Sequence, residues 1–78
     1  MNTITVYSTG KSCQRCTLTT RLLDQKGVPY VVVDIRENPA ARDYVTDELG
    51  YSEAPVVVVD DHDHWSGFQP WNIDRIAG

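Results

Sequence analysis

The sequence predicts an α/β fold: a four-stranded mixed sheet flanked by three helices, in the order β-α-β-α-β-β-α. Three observations predict it. Short apolar runs rich in β-branched residues at 3–7, 30–33 and 55–59 have the length and composition of strands. Between them lie two stretches whose apolar residues recur at helical spacing, each closed by a glycine. After the third run only Asp60-Asp61 separates it from His62 to Trp65, which fits a hairpin rather than a crossover.

Taken in order, residues 3–7 run into Ser8-Thr9-Gly10, a tight loop, and then into Cys13-Gln14-Arg15-Cys16. From 14 to 26, Leu18, Leu22 and Leu23 form an apolar stripe, and Gly27 with Pro29 supplies the stop. Thr17, Thr19 and Thr20 weaken the intrinsic propensity of this helix, so tertiary packing must hold it. Tyr30 to Val33 is nearly continuous in apolar residues, which predicts a strand buried on both faces and completes a βαβ unit. Asn38 before Pro39 reads as an N-cap with proline at the first helical position, and Ala41, Tyr44, Val45 and Leu49 make one stripe before Gly50. Residues 70–77 form a last short helix, with Ile73, Ile76 and Ala77 as its inward candidates.

Seventy-eight residues suffice for one domain, 1–78, sharing a single core. Its two cysteines stand three positions apart, so a bridge between them closes too small a loop to constrain the unfolded chain much. The pair therefore reads as chemistry. The net charge of −4 and the scattered Lys and Arg residues argue against nucleic-acid binding, which needs a clustered basic surface. The apolar run 55–59 is far short of the ~20 residues that span a bilayer, and the first residues show neither a basic segment nor a signal-like apolar stretch. A cytoplasmic protein is expected, and in that reducing compartment a close cysteine pair is catalytic or metal-binding more often than structural. Gly10-Lys11-Ser12 matches the end of a phosphate-binding loop, but Thr5 stands where its first glycine belongs. His62 and His64 lack the spacing of zinc-ligand histidines, and Arg36, Glu37 and Asp43 read as solvated polar faces. Two function classes remain: a dithiol redox enzyme, and a zinc or iron–sulfur binding module using Cys13 and Cys16.

A C-x-x-C directly after a first strand, opening a βαβ unit, resembles the thioredoxin-like fold, and the chain length is similar to its minimal, glutaredoxin-type form. Ala54-Pro55-Val56-Val57-Val58 resembles the cis-proline segment of that fold. Trp65-Ser66-Gly67-Phe68-Gln69-Pro70 resembles the W-S-G-F-x-P signature of NrdH-redoxins, and Arg42-Asp43-Tyr44-Val45 and Gly50-Tyr51 are similar to that family's second helix and its end. The resemblance extends over essentially the whole chain. It implies a monomeric electron carrier with no bound cofactor, reduced by thioredoxin reductase and serving class Ib ribonucleotide reductase. The rival within the same chemistry is a glutaredoxin that depends on glutathione or another low-molecular-weight thiol. That rival is weaker because Ser66-Gly67 stands where glutathione-binding members commonly carry Gly-Gly. The chain departs from the NrdH pattern in having Gln14-Arg15 between the cysteines instead of Val-Gln, and a longer, proline-free loop from Ser8 to Ser12.

Disulfide exchange needs a thiolate, and an ordinary cysteine is only slightly ionised near neutrality. At the first turn of a helix, unpaired N–H groups and the positive helix end favour the charged sulfur, which makes Cys13 the expected nucleophile. Lys11 and Arg15 are expected to tune it. Cys16, one helical turn later, is the expected resolving thiol. Given the resemblance, the Ala54-Pro55 bond is expected to be cis, presenting the Ala54 backbone to an extended partner segment. Trp65, Ser66, Gly67 and Phe68 are expected to serve as core and turn residues and also to shape the docking surface, with Gly67 permitting a positive φ or the close approach of a partner chain.

Overall fold

In the computed structural model, which describes residues 3–10 and 12–77, the first strand β1 (Ile4–Ser8) is an inner strand of a sheet ordered β2-β1-β3-β4. Its parallel neighbour β2 (Tyr30–Asp34) pairs Ile4 with Tyr30 and Ser8 with Asp34. On the other side β3 (Val56–Asp60) runs antiparallel, and β4 (Asp63–Ser66) returns as a hairpin whose register shifts between Val58 and Asp60. The expected strand order along the chain is observed, with β4 displaced by one residue from its predicted start.

Side-chain alternation along β1 builds the layers. Ile4, Val6 and Ser8 are buried on one face, where Ile4 and Val6 join Val57, Trp65, Leu23 of α1 (Gln14–Gln25) and Ile73 of α3 (Pro70–Ala77) in the main core. Fully burying a side chain such as Leu23 or Ile73 contributes about 1.5–3 kcal/mol. Tyr7 points the other way and meets Tyr44 with ring centroids 5.9 Å apart. Its strand partner Val56 is buried, as is Val45. The helix supplying Tyr44 and Val45 starts as α2 (Pro39–Asp43), capped by the Asn38 side chain accepting from the Ala41 N–H. It then widens into a π-helical turn over Tyr44–Glu48, closed by a Leu49 N–H bond to the Tyr44 carbonyl.

Three sequence expectations need correction. β2 is an edge strand, and Val31 and Val32 are about half exposed instead of buried on both faces. A run of valines reports affinity for a sheet, but chain topology decides which strand is covered. In α1, Leu18 is 43% exposed, and Thr19 takes the inward position, fully buried with its hydroxyl donating to the Arg15 carbonyl at 2.8 Å. That bond removes the cost of burying a hydroxyl. In α3 Ile73 is buried and Ile76 packs at the core's edge, whereas Ala77 is exposed.

Candidate active site

The end of β1 and the start of α1 set the two cysteines. Cys13 is the N-cap of α1, with extended backbone (φ −83°, ψ 104°), and its sulfur accepts the Cys16 N–H at 3.2 Å. Its own N–H donates to the Gly10 carbonyl at 3.2 Å, which closes the loop ahead of the helix. The Cys13 carbonyl accepts from the Thr17 N–H and hydroxyl, at 3.1 and 3.2 Å. Thr17, Thr19 and Thr20 all bond back to carbonyls one turn earlier, which satisfies the hydroxyls that sequence propensity counts against a helix.

Cys13 and Cys16 are joined as a disulfide, their Cα atoms 5.2 Å apart. Their surroundings differ. Cys13 is half-buried, whereas Cys16 is 4% exposed and faces a cleft of about 250 Å³ lined also by Ser8, Gly10, Thr20, Val32 and Asp34. An outside reagent therefore reaches Cys13 more readily.

A second segment closes the site. The Ala54-Pro55 peptide is cis and Pro55 is buried. The Gly67 N–H donates to the Pro55 carbonyl at 2.7 Å, and the Ser66 hydroxyl donates to the Glu53 carbonyl at 3.1 Å, so the end of β4 holds residues 53–55 in place. Gly67 has φ +83°, the left-handed conformation that glycine was expected to permit there. Arg15 reaches across to Glu53 with a 3.8 Å N···O separation, both ends exposed. The segment is also anchored from behind, where the Tyr51 hydroxyl lies 2.7 Å from His64 Nδ1.

Trp65 is only 5% exposed and belongs to the main core, against which Phe68 packs, so Trp65 can shape a docking surface only from beneath. Lys11, the other expected tuning charge, lies outside the described residues. His62 and His64 do not gather with the cysteines: the described residues contain no group of three or more His, Cys, Asp or Glu side chains able to hold a metal. Sequence reasoning missed Arg36. Its guanidinium forks onto Asp34 at 3.3 and 3.1 Å and lies against Gly10 of the cysteine loop. Hydrogen bonding from Arg36 holds the Asp34 carboxyl below the usual carboxylate range. No local motif announces this contact, because its partners come from different loops.

The glutaredoxin family model matches residues 4–65. The chain is 40% identical over 73 residues to the gene 56 protein of Mycobacterium phage D29, covering 94% of this chain and 80% of that protein. It is 34% identical over 73 residues to the glutaredoxin-like protein NrdH of Salmonella typhimurium, covering 94% and 86% of the two chains. Among solved structures it is similar to the glutaredoxin-like NrdH-redoxin of Escherichia coli, with a TM-score of 0.85, 30% identity, and coverage of 94% of this chain and 92% of that one.

Proposed function

The chain belongs to the glutaredoxin family, as an NrdH-type thiol–disulfide redox protein, and from that premise we propose that it carries electrons from thioredoxin reductase to a class Ib ribonucleotide reductase. The observation that carries this reading is the unequal placement of the two sulfurs, with Cys13 at the open start of α1 and Cys16 buried behind it.

In the reduced protein the Cys13 thiolate attacks one sulfur of the client disulfide. An S–S bond forms between Cys13 and the client, and the client's second sulfur leaves as a thiolate that takes up a proton. Cys16 then loses its proton and attacks the Cys13 sulfur. The Cys13–Cys16 disulfide forms, the second client thiolate leaves, and two electrons have passed to the client. Thioredoxin reductase returns two electrons to the disulfide state described above.

The Ala54 backbone N–H and C=O make no hydrogen bond among the described residues. They are available to pair with an extended client segment beside the cysteines. Arg15 adds a positive charge at the same helix end, and the W-S-G-F turn supports the platform through Ser66 and Gly67. The protein works as a monomer in the reducing cytoplasm. No helix among the described residues is long and apolar enough to cross a membrane.

The test is NADPH oxidation by the protein coupled to thioredoxin reductase, compared with coupling to glutathione and glutathione reductase. Turnover with the first system supports the proposal. Turnover only with glutathione would replace it with the glutathione-dependent reading.

A further inference from the structure

The loop that carries Cys13 contains no proline to stiffen it. Two local bonds among the described residues shape it: the Gly10 N–H donates to the Ser8 hydroxyl at 3.1 Å, and the Gly10 carbonyl accepts from the Cys13 N–H at 3.2 Å. Gly10 itself has φ +95°. A third contact comes from another part of the chain. After β2 the backbone reverses, with the Arg36 N–H donating to Asp34 Oδ1 at 2.9 Å and the Glu37 N–H to the Asp34 carbonyl at 3.2 Å. Asp34 is the strand partner of Ser8, so this turn sits beside the cysteine loop. The Arg36 guanidinium, forked onto both Asp34 carboxylate oxygens, fills the space next to Gly10 into which a Cβ would project.

We propose that Arg36, clamped by Asp34, is a positioning residue for Cys13: it forms the wall against which the Gly10 turn rests and so fixes the sulfur at the start of α1. The inference rests on Cys13 being the nucleophile. Arg36 and Asp34 are solvent-accessible, so the attraction between their charges is screened and contributes little by itself. What the pair provides is shape, because a planar guanidinium held at two points cannot swing away from Gly10 as a lysine ammonium can. Among the described residues, the other charged side chains on the elements that carry or flank the cysteines are Arg15, Arg21 and Asp24 of α1, Glu37 of the same turn, and Glu53 ahead of Pro55, with Arg15 and Glu53 3.8 Å apart.

The test follows the Cys13 thiolate through the pH dependence of iodoacetamide alkylation of the reduced protein, with thermal unfolding of each variant as a control. Arg36→Ala is expected to raise the titration midpoint and slow alkylation at neutral pH by roughly threefold, because less of the thiol is ionised. Arg36→Lys keeps the charge but lacks the fork, so it should behave like Arg36→Ala. Asp34→Asn should move the profile in the same direction, and the Asp34→Asn/Arg36→Ala double variant should add little, as expected for residues acting as one unit. A wild-type profile in Arg36→Ala, or full restoration by Arg36→Lys, would overturn the proposal. Cys13→Ser tests the premise separately: if the rapidly alkylated thiol survives in that variant, the nucleophile assignment has failed and not the positioning role.

Discussion

The backbone N–H of Cys16 points at the sulfur of Cys13 across 3.2 Å, while the Cys16 side chain is almost wholly buried. The same N–H can stabilise a thiolate at Cys13 once the disulfide is reduced. The arrangement favours charge on one sulfur and keeps the other out of reach of partners. Cys16→Ser is therefore expected to trap a mixed disulfide between Cys13 and a client, visible as a covalent complex on a non-reducing gel. Cys13→Ser should reduce exchange to background. Equal residual activity in the two variants would contradict the division of roles.

Arg75 of α3 donates to both carboxylate oxygens of Asp63 at 2.9 and 2.7 Å, tying α3 to β4 beside Trp65. Hydrogen bonding from Arg75 lowers the Asp63 pKa, against a smaller opposing effect of burial. A carboxyl depressed in the folded state stabilises the fold above its unfolded pKa of about 4, and that contribution disappears as pH falls through the folded value. Arg75→Gln should thus lower Tm by roughly 2–4 °C at neutral pH, a small effect suited to a partly exposed pair. The gap from wild type should close as pH drops below about 4. Thermal unfolding across that range checks the sign. A gap that widens in acid would be inconsistent with the pair.

The parts of this fold that were legible in the sequence are those with local causes. Asn38 and Pro39 start a helix through capping and a fixed φ, and the cysteine pair marks the opening of α1 because its residues follow directly on a strand and a tight loop. Features settled by distant contacts were not legible. The valines of β2 are apolar whether the strand is central or at the edge, and only the completed sheet shows that it lies outside β1. Helical spacing in α1 fits more than one choice of inward face, and Thr19 displaces Leu18 because a carbonyl one turn back satisfies its hydroxyl. Arg36 looked like a solvated charge because nothing near it in sequence reveals that Gly10 will lie beside it.

The indole N–H of Trp65 is buried and has no hydrogen-bond partner among the described residues. The ring contributes packing while its polar atom carries an uncompensated desolvation cost. Trp65→Phe is accordingly expected to lose less stability than its reduced volume alone suggests, because it also removes the unpaired donor. Trp65→Ala should cost about 3–5 kcal/mol, the usual loss for emptying an aromatic site in a core. Urea unfolding of the two variants measures both. Similar losses in the two would show that the indole is not acting as plain core.

Gly67 connects the core to the site, since its N–H holds the Pro55 carbonyl at 2.7 Å while its φ is +83°. A Cβ placed there would meet nothing within 4 Å, so crowding does not oppose a larger residue. Backbone conformation does. An L-residue with a β-carbon in the left-handed region pays about 1–2 kcal/mol, and asparagine tolerates that region better than alanine. Gly67→Ala should therefore destabilise the protein by roughly that amount, and Gly67→Asn by less, despite its larger side chain. If the residue relaxes its φ instead, the Pro55 carbonyl loses its donor and Ala54 shifts, which should raise KM for a protein disulfide while leaving reduction of dithionitrobenzoate nearly unchanged. Urea unfolding with parallel kinetics on the two substrates separates the backbone cost from its effect on docking. A larger loss for Asn than for Ala would mean that space, not φ, makes glycine necessary here.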